Sequence, residues 1–145
     1  MNIQMFRKNL FRLNAGFLIL IGGVFSILDF VGFEIGAGPM GDLLKGNFLA
    51  IGVLEAHGLA LIVGLLLFVY ALRSMDASWH LVGIGVHVLL GGSNLIFWSY
   101  FQQLGMVNQE IVVTAFHGLF VLAHLISYVA VRAEFQALSS QKLAK

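Results

Sequence analysis

The sequence has no cysteine, a single proline and few charged residues. Without cysteine the chain cannot form disulfides, thiolate metal sites, iron–sulfur clusters or a cysteine nucleophile. Charged residues make up only 10% of the 145 residues, whereas an average soluble domain has roughly 25%. So few charges cannot cover a surface that faces water, and the composition therefore indicates a protein that lies in a lipid bilayer.

Motifs of soluble enzymes and of nucleic-acid binding are also missing. The sequence contains no G-x-S-x-G, no P-loop and no H-E-x-x-H pattern. Its net charge is +1 and it has no basic run, so nothing favours nucleic acid as a partner.

Long apolar segments dominate what remains, since 59% of the residues are hydrophobic and the mean hydropathy is +0.93. A bilayer core of about 30 Å is crossed by about 20 helical residues. Four segments meet this length, approximately 13–31, 48–71, 79–101 and 111–131. The first is interpreted as a retained span, because no small-residue cleavage pattern follows it. The sequence therefore predicts one all-α domain, an integral membrane four-helix bundle over residues 1–145.

Lysine and arginine are distributed unequally between the two ends of the predicted spans. One side holds a single cation, Lys45, whereas the other side holds Arg7, Lys8, Arg12, Arg73, Arg132, Lys142 and Lys145. Because positive charge favours the cytoplasmic side, both termini are predicted to be cytoplasmic, in a bacterial-type inner membrane.

The second and fourth spans resemble each other, as do the first and third. An offset of 60 places His57 on His117, and an offset of 69 places Gly22 on Gly91. Each copy holds two spans, so the copies share one orientation, as in parallel membrane repeats. The pattern predicts a 2+2 internal repeat.

Histidines recur at helical spacing in the apolar segments. His87 lies seven residues before Asn94 in the third span, and His117 lies seven before His124 in the fourth. Depths counted from Arg73 and Arg132 predict two pairs at matched levels, His57 with His117 and His87 with His124. His80 is interpreted as an anchor in the wet interface beside Trp79.

Two carboxylates lie toward the outer ends of their spans. Glu55 is expected to be protonated, to be paired with His57, His117 or a cation of the first linker, or to line a wet cavity. Asp29 is expected to reach headgroups and water. Together with His57 and His117, these two carboxylates are predicted to form a polar pocket that opens outward. Asp29, Asn94 and Tyr128 are the further candidates for polar-pocket residues.

Several chemistries fit these residues. Facing histidines ligate haem b from both sides, with His57 and His117 as the first choice and His87 and His124 as the second. A transition metal, copper or zinc, would be ligated by His57, His117 and Glu55. Proton handling beside a quinone is a third possibility.

The quoted segments "FRLNAGFLILIGGVFSIL" and "VLEAHGLALIVGLLL" resemble the first and second spans of DoxX-like membrane proteins. The length and the four-span layout are similar too. The resemblance implies a function among quinol oxidation, thiosulfate oxidation and complex assembly, and of the site residues it covers only Glu55. The intramembrane histidines depart from the family pattern.

The leading hypothesis is a redox protein that binds haem or a metal for electron transfer or quinone-linked chemistry. It would work in the lipid bilayer as a homo-oligomer or with subunits of a redox complex. The alternatives are an accessory or assembly subunit whose polar residues fix helix packing, and a small proton-coupled transporter that uses Glu55.

Overall fold

The computed structural model describes residues 2–143, with side chains omitted for residues 138, 139 and 141–143. Two of the cations used to predict orientation are affected. Lys145 lies outside the described residues, and only the backbone of Lys142 is described.

All regular structure in the described part of the chain is helical. The order is α1 (Ile3–Ile35), α2 (Gly41–Leu44), α3 (Leu49–Leu66), a π-helical segment (Leu67–Ala71), α4 (Leu72–Ser74), α5 (Ser78–Ile96), α6 (Trp98–Gln103) and α7 (Val107–Leu143). The predicted all-α class is confirmed.

Four helical stretches are long and apolar enough to cross a membrane, namely Ile3–Ile35, Leu49–Ser74, Ser78–Ile96 and Val107–Ala137. The multi-pass membrane prediction is confirmed to this extent. The third stretch ends earlier than predicted, because α5 stops at Ile96 and the chain turns at Phe97 before α6. The last helix is longer than predicted, since α7 continues through the polar tail to Leu143.

Exposure of side chains is inverted relative to a soluble protein. Large apolar side chains point outward on all four long helices, for example Leu20 at 62%, Ile62 at 53%, Leu89 at 66% and Leu119 at 62% exposed. The buried polar or charged residues are Arg7, Asn14, Asp29, His80, His87, His117, His124 and Ser127. An apolar exterior around polar residues is the arrangement expected of helices surrounded by lipid, where ionisable groups face the protein interior.

The chain forms two compact units. One comprises Phe11–Arg73, and the other comprises the first turns of α1 up to Leu10 together with the chain from Ser74 onward.

Glycine determines how α1 and α3 pack in the first of these units. A Cβ on Gly22 would lie 2.5 Å from the Leu61 nitrogen and 2.7 Å from the His57 carbonyl oxygen. A Cβ on Gly64 would lie 2.9 Å from the Ile19 nitrogen. Backbones that approach this closely need small residues, which is how membrane helices associate without a hydrophobic driving force.

In the other unit a short turn fixes where α5 begins. Met75 has a positive φ of 50°, and the Asp76 carboxylate accepts hydrogen bonds from the Ser78 amide at 2.7 Å and hydroxyl at 2.6 Å. These hydrogen bonds hold the pKa of Asp76 below its usual value. The turn places His80 in the first turn of α5.

Gly22→Ala is expected to destabilise the α1–α3 packing by about 1–3 kcal/mol, because the methyl group meets backbone atoms that cannot move aside. Gly16→Ala is the matched control, since a Cβ at Gly16 has nothing within 4 Å. Thermal unfolding in detergent measures the difference. Equal unfolding midpoints for the two variants would contradict the close packing at Gly22.

Candidate functional site

Four buried histidines form two pairs between α5 and α7. His80 and His87 lie on α5, and His117 and His124 lie on α7. Three of them are at most 1% exposed, and His117 is 5% exposed. A seven-residue step returns a helix to the same face about 10 Å further along, so the two pairs lie one above the other.

The first pair joins His80 to His124. Their Nδ1 atoms are 2.9 Å apart, and the ring centroids are separated by 5.2 Å. Arg7, only 2% exposed, donates from Nε to His80 Nε2 at 3.0 Å. Its Nη1 donates to Gln4 Oε1 at 3.3 Å, and its Nη2 donates to the carbonyl of Met75. The guanidinium thus closes one end of the histidine array.

These contacts fix the tautomers of both rings. Arginine has no acceptor atom, so His80 must accept at Nε2 and carry no proton there. A neutral His80 then carries its proton on Nδ1 and donates it to His124 Nδ1. His124 is consequently the tautomer with its proton on Nε2. The hydrogen bonds all point in one direction, from Arg7 through His80 to His124.

The second pair joins His87 to His117. Their Nδ1 atoms are 2.7 Å apart, and the ring centroids are separated by 5.0 Å. Phe120 stacks on His87 with a centroid distance of 4.7 Å and an interplanar angle of 11°. A stacked ring restricts rotation of the imidazole, so this pair is held in a defined geometry.

Two glycines of α5 make room for the histidines of α7. A Cβ on Gly83 would lie 2.6 Å from Nε2 of His124, and one on Gly91 would lie 2.9 Å from Cβ of His117. Any larger residue at these positions would push the helices apart. The glycines therefore bring α7 close enough for direct contact between imidazoles.

A further polar contact continues the same face of α5. The Asn94 amide donates to the Thr114 hydroxyl at 3.1 Å. From His80 to Asn94 the polar face extends over fourteen residues, or about 21 Å of helix. This is roughly two thirds of a bilayer core of about 30 Å. We refer to Arg7, His80, His124, His87, His117, Asn94 and Thr114 as the polar column.

A separate polar pair lies in the other unit. The Asp29 carboxylate on α1 is 3% exposed, and its Oδ2 lies 2.6 Å from Nδ1 of His57 on α3. Phe25 stacks on the His57 ring with a centroid distance of 5.2 Å. An ionised carboxylate can only accept, and beside an ionised Asp29 the donor would be Nδ1 of His57.

The histidine pairing differs from the prediction. Instead of His87 with His124, the structure pairs His87 with His117 and His80 with His124. In place of a contact with His117, the Nδ1 of His57 meets Asp29.

The depth estimate failed because it placed Arg132 at the level where the spans end. The helix α7 continues to Leu143, whereas α5 begins at Ser78. His124 faces His80 in the first turn of α5, so Arg132 lies eight residues, or about 12 Å, beyond that level. Counting from Arg132 therefore shifted every level of the fourth span.

Two residues that were expected to reach water are buried instead. His80 is completely buried rather than a wetted anchor, because Arg7 and His124 occupy both of its ring nitrogens. Asp29 is buried by its contact with His57 rather than placed among headgroups.

The other predicted site residues differ in exposure and in their partners. Glu55 is exposed on α3, and Tyr128 is half-buried on α7. Asn94 bonds Thr114, and Asp29 bonds His57. These contacts give Asp29 and Asn94 separate partners.

The distances within the histidine pairs are those of hydrogen bonds. A histidine nitrogen ligates zinc at about 2.0–2.1 Å, so two nitrogens on one metal lie at least about 3 Å apart and about 4 Å when they are opposite each other. A haem iron with the two nitrogens on opposite sides therefore requires the nitrogens of either pair to separate by roughly 1 Å or more, whereas a metal with the two nitrogens side by side requires a separation of only a few tenths of an ångström. Among the described residues, no group of three histidine, cysteine, aspartate or glutamate side chains is suited to hold a metal ion.

Comparisons with protein-family models, with curated proteins and with solved structures find no match to this chain.

A signal for the correct pairing is present in the sequence. In antiparallel helices with a short connection, contacting residues have nearly constant number sums. His80 with His124 and His87 with His117 share the sum 204, and Asn94 with Thr114 gives 208, one turn away. The participation of Arg7 has no comparable signal, because it depends on how α1 starts.

The tautomers can be tested by nitrogen-15 NMR of histidine-labelled protein. His80 is expected to be protonated on Nδ1 and His124 on Nε2, because Arg7 donates to His80 Nε2. Arg7→Met removes the donor, and His80 should then show both tautomers. Lys8→Met, at an exposed neighbouring position, is the matched control and should leave both signals unchanged. Protonation of His80 on Nε2 in the unaltered protein would contradict the assigned hydrogen bonds.

Proposed function

We propose that this chain is a proton-handling membrane protein in which the polar column between α5 and α7 carries protons through the apolar region, in support of quinone-linked or electron-transfer chemistry. The observation that supports this most directly is the pair of His–His hydrogen bonds at two successive levels of one helix interface. Chains of histidine within membrane spans are a common means of proton transfer.

Imidazole suits this role because it binds a proton on one ring nitrogen and releases one from the other. His124 contacts α5 at two positions. Its Nδ1 contacts His80, and its Nε2 lies against Gly83, which is four residues before His87. Within a pair, a proton can pass along the Nδ1···Nδ1 hydrogen bond. Passage between the two levels, about 10 Å apart, would require a water molecule between them as a carrier.

Arg7 determines which ring nitrogen donates and which accepts in the first histidine pair. It remains protonated under all ordinary conditions and cannot itself pass a proton. Its hydrogen bond to His80 Nε2 therefore orients the adjacent pair but ends the path on that ring nitrogen. Protons would therefore have to leave the column from a ring nitrogen of another histidine. Arg7 takes no part in the transfer itself, so it is a positioning residue.

A measurement of proton flux distinguishes a proton-handling protein from an accessory or assembly subunit. The purified protein is placed in vesicles with an internal pH-sensitive dye, and a potassium gradient with valinomycin drives proton entry. His87→Gln is expected to reduce the flux at least tenfold, because the amide can hydrogen-bond but does not titrate. Val88→Ala, at a neighbouring exposed position, should conduct as the unaltered chain does.

Structural polar residues predict a different result. If the unaltered protein conducts no more than empty vesicles, or if His87→Gln and Val88→Ala conduct equally, the column only fixes helix register. Unfolding midpoints of both variants show whether a lost flux reflects a lost fold.

A second candidate is a haem b or transition-metal protein, which two histidine pairs on adjacent helices would suit in number and residue type. The pairs His87–His117 and His80–His124 are the ligand sets that the geometry favours for this candidate. His57, His117 and Glu55 remain the originally proposed metal ligands. Binding between the rings of either histidine pair requires those rings to separate.

An absorption spectrum with elemental analysis of protein purified from its native membrane tests the second candidate. A Soret band that disappears in His117→Ala but persists in the neighbouring Leu119→Ala would establish a haem. A colourless protein without stoichiometric metal would rule out this candidate and leave the proton column unaffected.

We also propose that the termini are cytoplasmic, that the protein is a homo-oligomer or a subunit of a redox complex, and that it is a DoxX-like protein with a 2+2 repeat. The repeat is supported by equivalent packing in the two units. Gly22 meets the backbone at His57 and Leu61, and its counterpart Gly91 meets His117, the counterpart of His57.

A further inference from the structure

A cavity of about 230 Å³ lies in the unit Phe11–Arg73, beside the Asp29–His57 pair. It is formed by the last turns of α1 and the first turns of α3. Asp29 lines it as a buried group, whereas the aromatic residues Phe30 and Phe33 are 58% and 39% exposed. The cavity thus combines a buried carboxylate with apolar walls that are open to the surroundings.

The ionisable groups that line this cavity are all acidic. They are Asp29 and Glu34, and the other described lining residues are apolar. Oδ2 of Asp29 takes the hydrogen bond from His57, which leaves Oδ1 for a ligand. The lining is therefore complementary to a positive charge and repels an anion.

The residues around the cavity at this end of the unit are also mostly acidic. Beyond the cavity it carries Asp42 on α2 and Glu55 on α3, both exposed, against the single cation Lys45. The alkyl part of Lys45 lies along Gly36, since a Cβ on that glycine would be 3.0 Å from the Lys45 Cδ. A field of one sign around a cleft raises the local concentration of counter-ions.

The walls indicate that the cation is organic. Aromatic faces attract quaternary ammonium groups, and Phe30 and Phe33 supply two such rings. Ile51 and Leu54 of α3 add aliphatic surface. A metal cation would instead need several oxygen ligands, and the lining offers only two carboxylates.

We propose that this cavity binds a small lipophilic organic cation, with Asp29 as its counter-ion and the phenylalanines as its apolar contact. The cavity of about 230 Å³ is smaller than the pockets of about 300–1,000 Å³ that bind drug-sized ligands. Its ligand is therefore smaller than a drug-sized molecule, about the size of an aryl or alkyl trimethylammonium ion. The occupant is a free amphiphile rather than a zwitterionic lipid headgroup, because Asp29 and Glu34 disfavour the phosphate that such a headgroup carries. The site is independent of the polar column.

Binding can be measured with benzyltrimethylammonium and the purified full chain in a neutral maltoside detergent. Calorimetric titration, corrected for empty micelles, is expected to show saturable binding. Neopentylbenzene has the same shape without the charge and should not compete. Asp29→Asn should weaken binding at least tenfold, and Asp42→Asn, outside the cavity, should bind as the unaltered chain does.

Removing Asp29 can also disturb His57, so two rim variants provide an independent test. Glu34→Gln and Phe33→Ala lie at exposed positions and should each weaken binding severalfold without altering the unfolding midpoint. Unchanged affinity in both rim variants would overturn the proposal, as would equal losses in Asp29→Asn and Asp42→Asn.

Competition with a neutral probe tests selection for charge, and competition with a lipid tests the identity of the occupant. Competition by neopentylbenzene at similar concentration would show an apolar cavity without charge selection and would overturn the proposal. Displacement of benzyltrimethylammonium by a short-chain phosphatidylethanolamine at similar concentration would identify a lipid headgroup as the occupant and would overturn the commitment to a free amphiphile.

Discussion

The close approach of α5 and α7 is the constraint on which the polar column depends. Gly83 lies against the ring of His124, and Gly91 lies against Cβ of His117. At these two positions the space that a side chain would take on one helix is occupied by a histidine of the other. The imidazoles consequently meet directly, at 2.9 and 2.7 Å between Nδ1 atoms. Because hydrocarbon supplies no hydrogen bonds, each ring must find its partner within the protein.

Arg7 adds an uncommon element to this arrangement, a buried cation held by neutral acceptors. A buried charge costs several kcal/mol unless hydrogen bonds and opposite charges compensate it. Arg7 donates to an imidazole, a side-chain amide and a backbone carbonyl, and Glu134 and Asp76 act on it electrostatically. The same contacts orient His80 and hold the turn at Met75. One side chain therefore couples the start of α1, the start of α5 and the tautomer of the first histidine pair.

Much of this architecture follows from the sequence, because lipid imposes simple rules. The lengths of apolar segments and the scarcity of charge predict four spanning helices, and the seven-residue spacing of His80, His87 and Asn94 predicts one polar face. The pairing depends instead on the relative height of two helices. That height depends on where α5 begins after the turn at Met75 and on where α7 begins, and hydropathy does not determine either position. The burial of Asp29 was missed for a similar reason, since a carboxylate near a span end looks the same whether it meets water or a histidine.

The proposed repeat offers a reason why His57 and His117 have different partners. The proposed repeat would make His57 and His117 counterparts, and each lies on a helix that packs against a glycine, Gly22 or Gly91. The partner of His117 is His87, whose counterpart in the first copy is the buried apolar residue Leu18. His57 therefore lacks an imidazole at that position and contacts Asp29 further along α1. The same proposed repeat would make Trp98 the counterpart of Asp29. Trp98 lies beyond the break that ends α5, so the second copy would offer no carboxylate there. In the proposed repeat, one copy would thus carry the histidine pairs to which we assign proton transfer, and the other would carry the Asp29–His57 pair to which we assign a cation.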